Sequence, residues 1–301
     1  MSVLAIIAAL LLEQWRPLGD RKSVGAALQG WSEWLERSFD AGESHHGRIA
    51  WLVAVLVPVA AVVGLHELLE SFSTLGALLF DVLVLYLTLG FRQFSHWFTD
   101  IQNAIRDGEV DRARELLGAW RGESALHRSR EEVIRLSIEE AIAASHRHVF
   151  AVLFWYILLP HPCGAILYRL AAYVARRWGG RGEFGRFAAH ALYILEWPTA
   201  RLTAISFAVV GDFEDAIYCW RTQAAAWPDP NLGIVLAAGA GAMGVRLGMP
   251  LSEVESLQAR PDLGLGEPAD VHFLDSTVGL LWRALVVWVF VLGVLTLARL
   301  L

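Results

Sequence analysis

Lysine is almost missing from this chain: Lys22 is the sole one among 25 basic residues, and the net charge is −6. Without a basic tract there is no electrostatic footprint for nucleic acid, and no nucleic-acid partner is expected. Cysteine is scarce as well. Cys163 and Cys219 are the two present, which excludes a disulfide framework. Charge of either sign is thin, at 19% of residues against about a quarter in an ordinary soluble domain. No P-loop, G-x-S-x-G or Cys–His pairing occurs, so nucleophilic catalysis has no candidate and no catalytic residue is assigned. Sustained two-residue alternation is absent too, which argues against a sheet.

What the chain has instead is apolar text. Hydrophobic residues make up 55% of it, with 13 Trp, and the mean hydropathy is +0.45. Trp gathers at membrane–water interfaces. Apolar runs fall at 2–12, 49–65, 75–91, 149–175, 187–210, 232–247 and 278–298. A spanning helix takes about 20 residues, and the run at 278–298 is the cleanest candidate. The expected fold class is therefore all-α, a polytopic helical bundle whose first partner is the lipid bilayer.

Five segments follow. Residues 1–91 form N-terminal membrane helices with a cytoplasmic loop at 13–48, and "HELLESFST" joins the runs at 49–65 and 75–91. Residues 92–148 read as an amphipathic cytoplasmic helical hairpin, with Val110, Ala113, Leu117 and Trp120, then Ile134, Ile138, Ala141 and Ser145, at helical spacing. Residues 149–250 begin with a broken or re-entrant hairpin, interrupted by "PHPCG" at 160–164. A polar loop at 251–277 precedes a C-terminal transmembrane helix at 278–301. Arg-rich loops at 13–48 and 92–148 place those segments inside by the positive-inside rule, and topology beyond residue 190 stays open.

A literal G-x-G-x-x-G stands at Gly239, Gly241 and Gly244, but no βαβ unit surrounds it, so close helix packing is expected there. "HELLE" at 66–70 resembles half of a zinc-protease helix with Glu70 where the second His would stand, and no metal site is expected. Ionisable groups within or beside apolar runs carry more weight, because charge in a bilayer is costly and is usually paired or functional. Glu13, Arg169, Glu196 and Arg201 are such residues, and with Glu139 and Asn231 they make up the candidate ligand or structural polar site. Glu196 and Arg201 point roughly 140° apart on a helix, so each needs a partner on another element.

Several segments in order resemble the CobD/CbiB superfamily of membrane proteins of cobalamin biosynthesis. "PTARLTAISFAVVGD" is similar to its P-A-R-L-T-A segment, and "DPNLGIVLAAGAGAMGVRLG" to its P-N-x-G and G-V-R-L-G text. "VFAVLFWYILLPHPCGAILYRL" is similar to its hairpin, and "GEVDRARELL" to its cytoplasmic helix. The resemblance implies, as one alternative, ATP- and magnesium-dependent joining of an aminopropanol phosphate to a corrin side-chain carboxylate. The sequence departs from the acidic motifs of that activity. Glu139 and Glu140 are followed by Ala143 and Ala144, the Asp position falls near Arg147, N-T-L-D becomes Ala172 to Ala175, and a paired Asp becomes Leu192 and Tyr193. With "EQWRPLG", "VLFW" and Leu195–Glu196–Trp197, the pattern looks like the AmpE-type branch. The main expectation is thus a non-enzymatic inner-membrane sensor or regulator of a bacterial cell, without cofactors and with an unidentified membrane or cytoplasmic protein partner. In it the broken hairpin repacks against the Glu196–Arg201 helix. ATP and Mg enter only under the synthase alternative, and a membrane scaffold is the second alternative.

Overall fold

The computed structural model describes residues 2–15, 22–39, 44–251 and 260–298, and these are overwhelmingly helical. The chain divides into two compact units, each discontinuous in sequence. One takes Met1–Gly90 and Ala151–Pro198, the other Phe91–Phe150 and Thr199–Leu301.

In the first unit α1 (Ser2–Trp15), α2 (Lys22–Phe39), α3 (Ser44–Phe72) and α4 (Thr74–Thr88) are followed, after the chain returns, by α8 (Ala151–Leu158), α9 (Cys163–Trp178) and the first part of α10 (Gly182–Val210). α3 packs against α2, α4 and α9, and α1 against α4. Trp51, Val55, Leu170, Trp178 and Phe184 form the core of α3, α9 and α10. Gly47 permits that approach, since a Cβ there would collide with the Phe184 carbonyl. A polar latch fixes α2: buried Glu36 accepts from Trp178 Nε1 at 2.8 Å and pairs with Arg181 at 2.8 Å and Arg177 at 3.3 Å. The "HELLESF" text does not form a loop. α3 runs on through it, and the turn is confined to Ser73, whose side chain caps α4.

In the second unit α5 (Phe91–Arg106), α6 (Val110–Arg121), α7 (Arg130–Ser145), α11 (Phe213–Gln223), α12 (Pro230–Met243) and α13 (Val271–Ala298) join the latter part of α10. α5 buries Phe91, Phe94, Phe98, Ile101 and Ile105 along one stripe, the spacing of an amphipathic helix. α7 is central and packs on α5, α6, α12 and α13. Segment 92–148 thus holds three helices, and the last is buried on all sides from Glu132 to Glu139. Two-residue strands β1 (Val245–Arg246) and β2 (Glu267–Pro268) pair in parallel. The glycine-rich run lies in α12, where a Cβ on Gly241 would stand 2.5 Å from the Asp215 carbonyl oxygen. The glycines let helices touch; they are not a dinucleotide loop.

Among the described residues, three helices are long and apolar enough to cross a membrane: His45–Phe72, Arg130–Leu158 and Val271–Ala298. The second passes from α7 through a π-helical turn, His146–Phe150, into α8. The arm before the hairpin break is therefore the end of a 29-residue helix rather than a short half, and the break itself stands between Leu158 and Cys163. α3 leaves Leu52, Leu56, Val57, Leu65 and Leu68 exposed, and α13 leaves Val286, Phe290, Val294 and Leu295 exposed. Contiguous apolar faces of this kind belong in lipid.

Candidate functional site

The second unit holds a polar cavity of about 400 Å³, lined by Arg130, Glu131, Ile134, Glu267, Pro268, Ala269, Asp270 and His272. Local sequence builds its walls. Ser129 ends the polar turn before α7 with a reciprocal cap: its Oγ accepts from Glu132 N at 3.1 Å, and Glu132 Oε2 accepts from Ser129 N at 2.8 Å. Arg130 and Glu131 are thereby fixed on the first turn of α7. On the opposite wall β2 carries Glu267, and Asp270 accepts from Val271 N at 2.6 Å as α13 begins. Gly266, at φ 98°, passes so close to the Gly244 carbonyl that a side chain has no room. α13 is tied in turn by Asp275, which accepts from Gln102 at 2.9 Å and from Arg106 at 2.6 and 2.7 Å. Three carboxylates, a guanidinium and an imidazole therefore face one space. The guanidinium suits a phosphate-bearing substrate.

Glu139, on the third turn of α7, serves a different end. It is buried, receives both a 2.9 Å and a 2.7 Å bond from Arg260 Nη2, and accepts from Gly248 N at 2.9 Å. Arg260 also donates to the Met249 carbonyl at 3.4 Å and lies over the Trp227 ring, 5.4 Å from its centroid. The loop it grips bends through left-handed backbone at Gly248 (φ 73°) and Met249 (φ 64°), and Leu247 and Leu263 exchange bonds of 2.7 and 2.9 Å beside it. A carboxylate already neutralised by a guanidinium is poorly disposed to bind a metal. Glu139 is a strut.

Arg201 and Asn231 meet: Arg201 Nη1 donates to Asn231 Oδ1 at 3.3 Å. The P-N-x-G text explains the placement of Asn231. Asp229 caps α12 by accepting from Asn231 N and Leu232 N, Pro230 takes the first helical position, and Gly233 packs against Ala224 too tightly for a side chain. Glu196, in the first unit, is buried and accepts from Tyr168 on α9 at 3.2 Å. Glu196 and Arg201 thus each reach another helix, as their divergent directions require. Glu13 (buried in α1) and Arg169 (half-buried in α9) belong with Glu196 to the first unit, whereas Glu139, Arg201 and Asn231 belong to the second. Cys219 on α11 is buried, and that burial pushes its thiol up to about 11, which leaves it without nucleophilic character near neutrality.

Residues 5–281 match the family described as CobD/Cbib protein. The chain belongs to the CobD/CbiB family. Over 301 residues, 97% of both chains, it is 34% identical to a protein of Stutzerimonas stutzeri named cobalamin biosynthesis protein CobD. A protein of the same name from Chromobacterium violaceum is 36% identical over 211 residues, 69% of this chain and 67% of the relative. No solved structure matches the chain.

These relatives overturn the expectation of an AmpE-like, non-catalytic regulator. One relative similar along 97% of this chain and another along 69% carry the name of cobalamin biosynthesis, and nothing separates an AmpE-type branch from them. The acids of the family's motifs are missing from short windows around residues 143–147, 172–175 and 192–193. The acids that share a cavity in this CobD/CbiB chain are Glu131, Glu267 and Asp270, outside every one of those windows. In sequence Glu267 and Asp270 lie within the polar loop expected at 251–277. The available signal was Asp270, an acid one residue before a long apolar helix, where an N-terminal cap belongs.

Proposed function

We propose that this chain acts in cobalamin biosynthesis as the ATP- and magnesium-dependent amide-forming ligase of its family, joining an aminopropanol phosphate to a corrin side-chain carboxylate in the bacterial inner membrane. The observation that carries the reading is the full-length similarity to relatives named for that biosynthesis. The cavity supports it chemically. It sets a guanidinium among acidic side chains, and its volume of about 400 Å³ is in the range of small-molecule sites. Glu131, Glu267 and Asp270 line the cavity without converging to the spacing of a single metal site, and Arg130 would hold the phosphate. When bound, Mg–ATP supplies activation of the carboxylate for attack.

The residues of the chain then have definable work. Arg130, fixed by the Ser129 cap, neutralises phosphate charge and orients the substrate. His272, whose Nδ1 lies 4.0 Å from Asp270 Oδ2, takes the proton that the amine must lose in becoming an amide. Neither role asks Glu139 to leave Arg260.

Expression in a bacterium lacking its own cobinamide-phosphate synthase tests the reading. Growth without the added product is expected, and is lost with Glu267→Gln or Asp270→Asn while the protein still accumulates in membranes. No growth from the accumulated wild-type chain overturns it.

A further inference from the structure

The first unit brings together His66 and Glu70 of α3, Asp81 of α4, and His161 of the break between α8 and α9. His66 and Glu70 are one turn apart and share a helix face. One ligand atom from each of His66, Glu70 and His161 lies within 4.8 Å of the others. The two imidazole rings stand 4.3 Å apart, centroid to centroid.

The hydrogen bonding at this junction is incomplete in a telling way. His66 is buried, and its Nδ1 makes no hydrogen bond; it faces Glu70 Oε2 at 3.8 Å, too far for one. Asp81 Oδ1, also buried, stands 3.2 Å from His66 Nε2 without the alignment of a hydrogen bond. Tyr156 donates to the other Asp81 oxygen at 3.3 Å. His161 Nε2 pairs with Glu67 at 2.9 Å, and His161 sits in left-handed backbone (φ 56°), uncommon for a residue other than glycine. Each imidazole therefore has a carboxylate beside Nε2, and Nδ1 of His66 is left without a hydrogen bond. That is the arrangement of metal-binding histidines, in which an outer carboxylate orients the ring and raises its basicity.

We propose that His66, Glu70 and His161 bind a divalent transition metal, with Zn²⁺ the best match to a two-imidazole, one-carboxylate set. Asp81 and Glu67 orient the two rings. Glu70 and His161 are partly exposed, so a water completes the coordination and the ion exchanges with solvent. The ion satisfies the orphaned Nδ1 of His66, balances the buried Asp81, and staples α3 to the break before α9.

Full-length protein in detergent, stripped with chelator and titrated with Zn²⁺ against a chromophoric competitor, tests this. About one tight equivalent is expected, as for a preformed three-ligand site. His66→Ala and His161→Asn abolish it; the asparagine tolerates the left-handed backbone and so removes the ligand without disturbing the turn. Glu70→Gln, at an exposed position, weakens it without risk to folding. Asp81→Asn weakens it by about 10- to 100-fold, the effect of losing an outer partner. Cys163→Ser leaves it unchanged. Absence of stoichiometric Zn²⁺, retention of it in His161→Asn, or its loss in Cys163→Ser overturns the proposal.

Discussion

α3 and the helix from Arg130 to Leu158 are nearly equal in length and differ in what their side chains meet. In α3 22% of the most apolar stretch is buried, and in the other helix 67%. α3 turns leucines and valines outward. The Arg130–Leu158 helix buries Glu132, Arg135 and Glu139 in its first half, holding Glu132 in the cap and Glu139 in an ion pair with Arg260. Apolar length qualifies a helix for the bilayer, but polar residues surrounded by protein mark the helix that organises a unit. The second kind of helix is the more fragile, because a buried charge that loses its partner keeps its desolvation cost.

That contrast sets an order of expected effects. Arg260→Ala strands Glu139 and should destabilise by about 3–5 kcal/mol, read as a large fall in the unfolding temperature of detergent-solubilised protein. Replacing both partners, Glu139→Leu with Arg260→Met, should recover most of that loss. Gly241→Ala forces a methyl against the Asp215 carbonyl at 2.5 Å and should cost about 1–3 kcal/mol in the same melt. Smaller still, Ser129→Ala removes the cap of α7 for about 1 kcal/mol, whereas Leu56→Ala on the outward face of α3 should stay within about 0.5 kcal/mol. If Leu56→Ala proves as damaging as Arg260→Ala, the division between the two helices fails.

Much of the site text was readable along the chain, though its meaning was not. Arg201 and Asn231 stand out in sequence, and they do meet, because P-N-x-G encodes a cap, a first-turn proline and a contact glycine within five residues. Glu139 also stands out, as ligand or structural residue, and its partner Arg260 lies 121 residues away, beyond any local spacing. The "HELLE" helix offered two ligand types at the right spacing and lacked a third, which His161 brings from the far side of the chain. α7 reads as one arm of an amphipathic hairpin because Ile134, Ile138, Ala141 and Ser145 recur at helical spacing, whereas the structure buries its polar residues from Glu132 to Glu139 as well.

By itself the sequence determined what composition and local period can determine: an all-α chain with membrane-length apolar helices, interrupted at residues 160–164, with small residues where helices touch. Those properties depend on the residues of one helix and its immediate neighbours, and hydropathy and backbone chemistry are local. The tertiary structure alone decided which carboxylates are held by arginine and which face a cavity, and it alone brought two histidines 95 positions apart to ring contact. Ion pairing and metal geometry depend on separations of a few ångströms between residues distant in sequence, and chain order carries no record of those distances.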